Sequence, residues 1–154
     1  MDEDDIEYIK NVFKLGDMTA ENVMTSRKSI SSISADSSDS EIMELIDKEG
    51  YSRIPVFEKN SDHIIGILHA REYLLKRNSS DFSLKNILHQ PVFVPETVSL
   101  DSLFKKMQTE HTHLVVVVNE YGETAGIVSM EDILEEIVGE IWDESDEEIV
   151  EFLK

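Results

Sequence analysis

Ser129 and Asp132 stand three positions apart at a change of pattern in this 154-residue sequence. Before them, Gly126-Ile127-Val128 reads as a buried strand. After them, Ile133, Leu134, Ile137 and Val138 recur at helical spacing. The pair therefore sits at a predicted helix N-terminus, where unpaired backbone N–H groups and the positive dipole end attract an anion such as phosphate. Ser129 can donate or accept a hydrogen bond. Asp132 accepts only, and its two oxygens suit a vicinal diol such as a ribose. The same Ser-x-x-Asp spacing is also a capping box, which stabilises a helix start without any ligand. On the motif alone both readings stand. No catalytic pattern accompanies it: there is no Cys, no G-x-S-x-G and no P-loop. Ser129 has no neighbouring His to act as base, and Glu131 beside Asp132 makes a poor acid–base pair at an exposed helix start. The expectation is a protein that is not an enzyme.

The elements that must hold this site follow from the periodicity. Residues 6–15 read as a short amphipathic helix through Ile6, Ile9 and Phe13, ending near Gly16, and Ala20 to Met24 as one further turn. Thr25-Ser26-Arg27-Lys28 follows, with a basic pair, and Ile30 and Ile33 mark a short strand. Ser38 and Glu41 form a capping box before a helix that stops at Gly50. Arg53 to Phe57 and Ile64 to Leu68 are strands around the turn Asn60-Ser61-Asp62, and the next helix is expected to turn Tyr73, Leu74 and Leu75 inward. Residues 77–82 look like a linker. Then Leu84 to Leu88 reads as a helix, Val92 to Val94 as a strand, and Leu100, Leu103, Phe104 and Met107 as a helix. Leu114 to Val118 is a strand apolar enough to need both faces covered. Tyr121-Gly122-Glu123 is a turn before the strand Ala125 to Val128.

That order repeats. Ile42 and Ile46 align with Leu103 and Met107 at an offset of 61, as do Ile54-Pro55-Val56 and Val115-Val116-Val117. After a one-residue deletion in the turn, Gly66-Ile67-Leu68 aligns with Gly126-Ile127-Val128 at an offset of 60. A unit of about 60 residues is at the small limit for independent stability, so two such sheets should pack face to face and share a core.

Composition narrows the function. With 40% hydrophobic residues the chain should be globular, and no apolar run approaches the ~20 residues that span a bilayer. The N-terminus is acidic where a secretory leader would be basic. The absence of cysteine fits a reducing cytosol. A net charge of −19 argues against nucleic acid as a partner and means that an anionic guest needs a local positive field or a bound cation. The acid is concentrated in residues 2–7 and in the tail from Glu140 to Glu151, which reads as a solvated terminus or as a divalent-cation site.

Several segments together resemble a known family: Val23-Met24-Thr25, Gly50-Tyr51-Ser52-Arg53-Ile54-Pro55-Val56, Val92-Phe93-Val94-Pro95-Glu96-Thr97, and Asn119-Glu120-Tyr121-Gly122 running on to Gly139-Glu140-Ile141. They are similar to a tandem CBS-domain pair, or Bateman module, of the CorC/HlyC hemolysin-related, cyclin-M-like family. The resemblance implies an α/β (α+β) fold of two pseudo-symmetric repeats, each a small three-stranded sheet packed with two helices. Residues 1–17 would be an N-terminal helical extension, 18–78 the first repeat, 79–139 the second and 140–154 an acidic tail. It implies an adenine-nucleotide sensor (ATP, ADP or AMP, with or without Mg) on the cytosolic side of a magnesium/cobalt efflux or hemolysin-like protein. The membrane domain of that parent is absent from this sequence, and the resemblance also implies a homodimer.

The implied nucleotide-binding residues are Thr25, Ser26, Tyr51, Ser52, Arg53, Ile54, Pro55, Ser129, Glu131 and Asp132. Ile54 and Pro55 would wall the adenine, Arg53 would fork onto phosphate and Asp132 would take the ribose. For several of these a plainer role is open: Arg53 as a surface charge paired with an acid, Tyr51 as a core aromatic, Thr25 as a turn hydroxyl. The partner pocket would use His69, Arg71 and Glu72 with Thr112, His113 and Leu114. There His69 replaces the hydroxyl and Glu72 the aspartate, so a nucleotide should bind weakly or not at all. His69, His111, His113 and Glu72 suggest a metal, but no tight ligand spacing supports one, and none is expected. The competing functions are a ligand-free homodimerisation scaffold, using apolar residues of helices 42–48 and 131–138, and a cation sensor acting through the acidic termini.

Overall fold

The computed structural model describes residues 15–139 together with residues 3, 5 and 6. The expected helix at 6–15 and the acidic tail at 140–154 fall largely or wholly outside these. The elements in order are α1 (Ala20–Val23), β1 (Thr25–Ser26), a 3-10 turn (Arg27–Ser29), β2 (Ile33–Ser34), α2 (Asp39–Glu49), β3 (Arg53–Phe57), β4 (Ile64–His69) and α3 (Ala70–Lys76). The second half continues with α4 (Leu84–Ile87), β5 (Phe93–Pro95), α5 (Leu100–Glu110), β6 (Leu114–Val118), β7 (Thr124–Ser129) and α6 (Met130–Val138).

Local chemistry sets the helix ends. Ser38 accepts from the Glu41 N–H while the Glu41 carboxylate takes the Ser38 N–H, and α2 stops at Gly50 in the left-handed region (φ 67°). At the equivalent end of α5 the left-handed residue is His111 (φ 54°), a costlier choice because of its Cβ.

Two sheets form, β2-β3-β4 and β1-β7-β6-β5. In each, a parallel pair (β2/β3, β5/β6) leads to an antiparallel hairpin (β3/β4, β6/β7). Alternation along β6 explains its apolar run. Val115 and Val117 enter a core with Leu100, Leu103, Met107, Val128 and Ile133, while Leu114 and Val116 meet Ile64 and Ile67 of the other sheet. The sheets thus face each other, with helices outside: Ile42 and Tyr73 complete a third core with Ile54, Val56 and Leu68.

Three expectations change. The second sheet has four strands rather than three, because β1 joins it: Thr25 lies opposite Ile127 and Ser26 opposite Gly126. The chain before β1 is tied to the same half, by hydrogen bonds from Ala20 N to Val98 O and from Leu100 N to Met18 O (both 2.9 Å). Reciprocally, His89 exchanges two 2.9 Å backbone hydrogen bonds with Ile67 of β4, and Ile87 packs in the first half's core. Each half therefore lends its leading segment to the other. Second, α3 turns only Tyr73 fully inward; Leu74 is 47% and Leu75 76% exposed. One and two residues further on, the helix has rotated about 100° and 200° away from the core. Third, Met43, Leu45, Ile46 and Ile137 pack partly against the chain's own cores, which reduces the apolar surface those helices offer a partner.

Candidate functional site

The ends of three strands and one helix converge between the halves. The β1–β7 pairing brings Thr25 to the start of α6, and the loop from Gly50 into β3 delivers residues 51–55 from the opposite side. Between them lies a cleft of about 420 Å³, within the size range of small-molecule sites. Thr25, Tyr51, Ser52, Arg53, Pro55, Ser129, Glu131 and Asp132 all line it, although residues 25 and 132 are far apart in the sequence.

Ile54 and Ser26 do not line the cleft. The Ile54 side chain is fully buried in the first half's core. Arg53 and Pro55 face the cleft, so the period-two alternation of a strand sends Ile54 the other way; it cannot wall an adenine. Ser26 is exposed and caps the 3-10 turn, pointing out of the set for the same reason relative to Thr25. In their place the cleft is walled by Ile30, Leu114 and Ile127 alongside Pro55, and edged by Ser29, Ser31, Gly50 and His113. Ile30 had been expected in a strand; it follows the 3-10 turn instead. Tyr51 is 48% exposed, a lip residue and not a core aromatic.

The capping box at α6 is real. The Ser129 N–H donates to Asp132 Oδ2 (2.8 Å), and the Asp132 N–H donates to Ser129 Oγ (3.2 Å). The cap and the cleft-lining position coexist: Asp132 Oδ1 has no hydrogen-bond partner among the described residues. Arg53 has no ion pair among the described residues, so its guanidinium is a cationic fork available to a guest in an acidic protein. Arg27, by contrast, is committed. Its Nη1 lies 2.6 Å from Asp62 Oδ1 and its Nε 3.3 Å from Ser61 Oγ. Thr124 Oγ1 donates to the Asp62 carbonyl (3.2 Å), so the β3–β4 turn is fastened to the other half beside the loop that carries Thr25.

The pseudo-symmetric cleft, about 370 Å³, has different chemistry. His69, Thr112, His113 and Leu114 line it as expected, joined by Arg53, His89, Glu110 and His111. Arg71 and Glu72 do not line it; Glu72 lies 3.5 Å from His89 Nε2. The His69 and His89 rings stack with centroids 3.8 Å apart and planes within 9°. Burial, then the neighbouring His89 and Arg53, push His69 below the ordinary histidine pKa, against a pull from Glu72. No group of three side chains suited to a metal ion occurs among the described residues.

Comparison with known proteins agrees with this architecture. The CBS-domain family description matches residues 20–77 and 84–139. Hemolysin C of Brachyspira hyodysenteriae is 40% identical over 142 residues, covering 92% of this chain and 53% of its own length. The magnesium and cobalt efflux protein CorC of Escherichia coli (strain K12) is 35% identical over 150 residues, with coverages of 96% and 51%. The chain thus spans about half the length of these relatives. The solved CBS domain of the bacterial CNNM/CorC family Mg2+ transporter in complex with ATP is 34% identical, with a TM-score of 0.82 over 88% of this chain and 98% of that one. No helix among the described residues is long and apolar enough to cross a membrane. Two repeats in tandem, segments exchanged between them and a cleft at their junction make this chain a member of the CBS-domain family, of the type found in CorC and hemolysin C.

Proposed function

We propose that this chain is an adenine-nucleotide-binding regulatory module of a membrane-associated efflux or hemolysin-like protein, acting on the cytosolic side. The observation that carries the reading is the convergence of Arg53 with Ser129 and Asp132 on one cleft about 420 Å³ in volume. Arg53 supplies the charge-assisted donors for phosphate. The α6 N-terminus adds its dipole, Asp132 keeps an oxygen for a ribose hydroxyl, and Pro55, Ile30 and Ile127 offer apolar surface to a base. The ATP complex of a similar CBS domain supports the choice of ligand. Magnesium, bound with the phosphates, would screen them from Glu131 and Asp132. The guest touches both halves, so its arrival alters their relative geometry, and an attached domain can read that change. The module senses and does not transform its ligand.

Calorimetric titration with ATP, ADP and AMP, with and without magnesium, tests this. The Ser129→Ala/Asp132→Ala double variant should keep the far-ultraviolet circular dichroism of the fold and lose binding; binding equal to the unmodified chain places the ligand elsewhere. Light scattering in the same samples measures whether the chain is the homodimer expected from its resemblance.

A further inference from the structure

We propose that the second cleft is a proton-coupled binding site for an inorganic oxyanion of the phosphate class. Four of the five histidines in the chain line this one cavity, together with Arg53. Of the nearby acids, Glu72 stands outside the lining, 3.5 Å from His89 Nε2, and Glu110 lies on it, 4.0 Å from Lys106. Arg53, His111 and His113 have no salt bridge among the described residues. In a chain of net charge −19, this lining sets Arg53 and four imidazoles against the single acid Glu110, with Gln90 and Thr112 as neutral polar groups.

The geometry argues against the two obvious alternatives. The carboxylate that Asp132 offers a ribose in the first cleft has no positional counterpart on this lining, because Glu72, at the equivalent place, faces His89. The position of the Ser129 hydroxyl is taken by His69, stacked flat on His89. A metal ion needs ring nitrogens converging on one point in the ring planes. Parallel stacked rings do not converge, and Arg53 adds a repelling charge. A compact dianion needs neither a diol partner nor in-plane convergence. It needs several positive donors in a partly enclosed space.

Protonation supplies them. Partial burial, then His89 and Arg53, hold the half-buried His69 below the ordinary histidine pKa, and two stacked imidazolium rings would repel. An oxyanion reverses that balance, because a nearby negative charge favours the protonated form. Binding therefore takes up protons, and affinity rises as pH falls. Glu72 and Glu110 oppose the anion, while His89, His111, His113 and Arg53 favour it. Arg53 and His113 border both clefts, whereas His69, His89 and His111 line the second alone, and the inference rests on those three.

Sulfate is the probe, because it shares the tetrahedral shape and keeps a constant double charge between pH 5 and pH 8. It is titrated at constant ionic strength at pH 7.5 and 5.5, following backbone amides and imidazole signals by NMR. We expect affinity at least about tenfold higher at the lower pH, since one linked proton contributes up to tenfold per pH unit. The shifts should map to His69, His89 and His111, with inorganic phosphate perturbing the same signals. His69→Gln with His111→Asn should cut the pH ratio to below about threefold, while ATP titration of the first cleft is unchanged. His111→Asn alone, which keeps a residue tolerant of positive φ, should lower the ratio in part if the double variant folds poorly. Affinity that does not change with pH, or that changes equally in the variants, overturns the proposal. So do shifts confined to residues 129–132.

Discussion

Replacing Gly126 by alanine puts the exchange of segments under direct strain. Gly126 lies opposite Ser26 in the β1–β7 pair. A methyl group there would stand 2.4 Å from the Thr25 carbonyl oxygen, 2.7 Å from Met24 Sδ and 2.9 Å from Met24 Cγ. Two effects oppose each other. Alanine in a strand restricts the unfolded chain and should stabilise by about 0.4–1 kcal/mol. Overpacking costs about 1–3 kcal/mol. Met24 can swing aside, but the carbonyl belongs to the backbone, and moving it loosens β1 from β7 at about 0.5–1.5 kcal/mol per hydrogen bond lost. The steric side wins, with a net loss of about 2 kcal/mol. For a chain of this size that lowers Tm by about 4–8 °C. Urea denaturation should show a lower midpoint at an unchanged slope. Thr25 lines the first cleft, so ATP affinity should fall as well. The equivalent Gly66→Ala meets Leu88 Cβ at 2.7 Å, Leu88 Cδ1 at 2.9 Å and the His89 carbonyl oxygen at 3.3 Å; Leu88 Cβ moves only with its backbone, so this variant should be destabilised as well. If Gly126→Ala is as stable as the unmodified chain, the leading segment does not lie on β7 as described.

Further outcomes follow from single residues. Arg53→Gln should leave Tm within about 1 °C, because Arg53 makes no ion pair to lose. It should weaken ATP binding about tenfold or more, since a hydrogen bond to a charged group contributes roughly 1.5–3 kcal/mol; a calorimetric titration separates the two effects. The Tyr73 hydroxyl donates to Asp39, and burial first, then that hydrogen bond, push its pKa up to about 12. An unfolded tyrosine ionises near 10, so between these values the unfolded chain binds fewer protons and stability falls as pH rises. Urea midpoints from pH 9 to pH 11 should show this decline, and Tyr73→Phe should flatten it.

The strand and helix order, the duplication and the Ser129–Asp132 pair were legible because each rests on a local pattern or an internal alignment. The burial of Ile54 is legible too, from the alternation of its own strand, which turns it away from the face an adenine wall requires. The partners of β1 were not legible: a two-residue strand has no periodicity, and its pairing across about 100 residues depends on tertiary packing. Ile30 and Ser31 carry no motif, so their place at the cleft emerges only when the 3-10 turn brings them there. The stack of His69 on His89 likewise follows from the Ile67–His89 bridge. Leu74 and Leu75 depart from expectation in the opposite sense: the inward face of this seven-residue helix is filled by Ala70 and Tyr73.

The mutual loan of leading segments has a consequence for signalling. Pulling the two halves apart as rigid lobes would strip β1 from one sheet and residue 89 from the other, baring backbone groups on both. Wide opening is therefore the expensive motion. A slight slide or twist that keeps both ladders intact is the cheap one, so under the proposed function a guest in the cleft would communicate through small displacements at the rim and not through a swinging hinge.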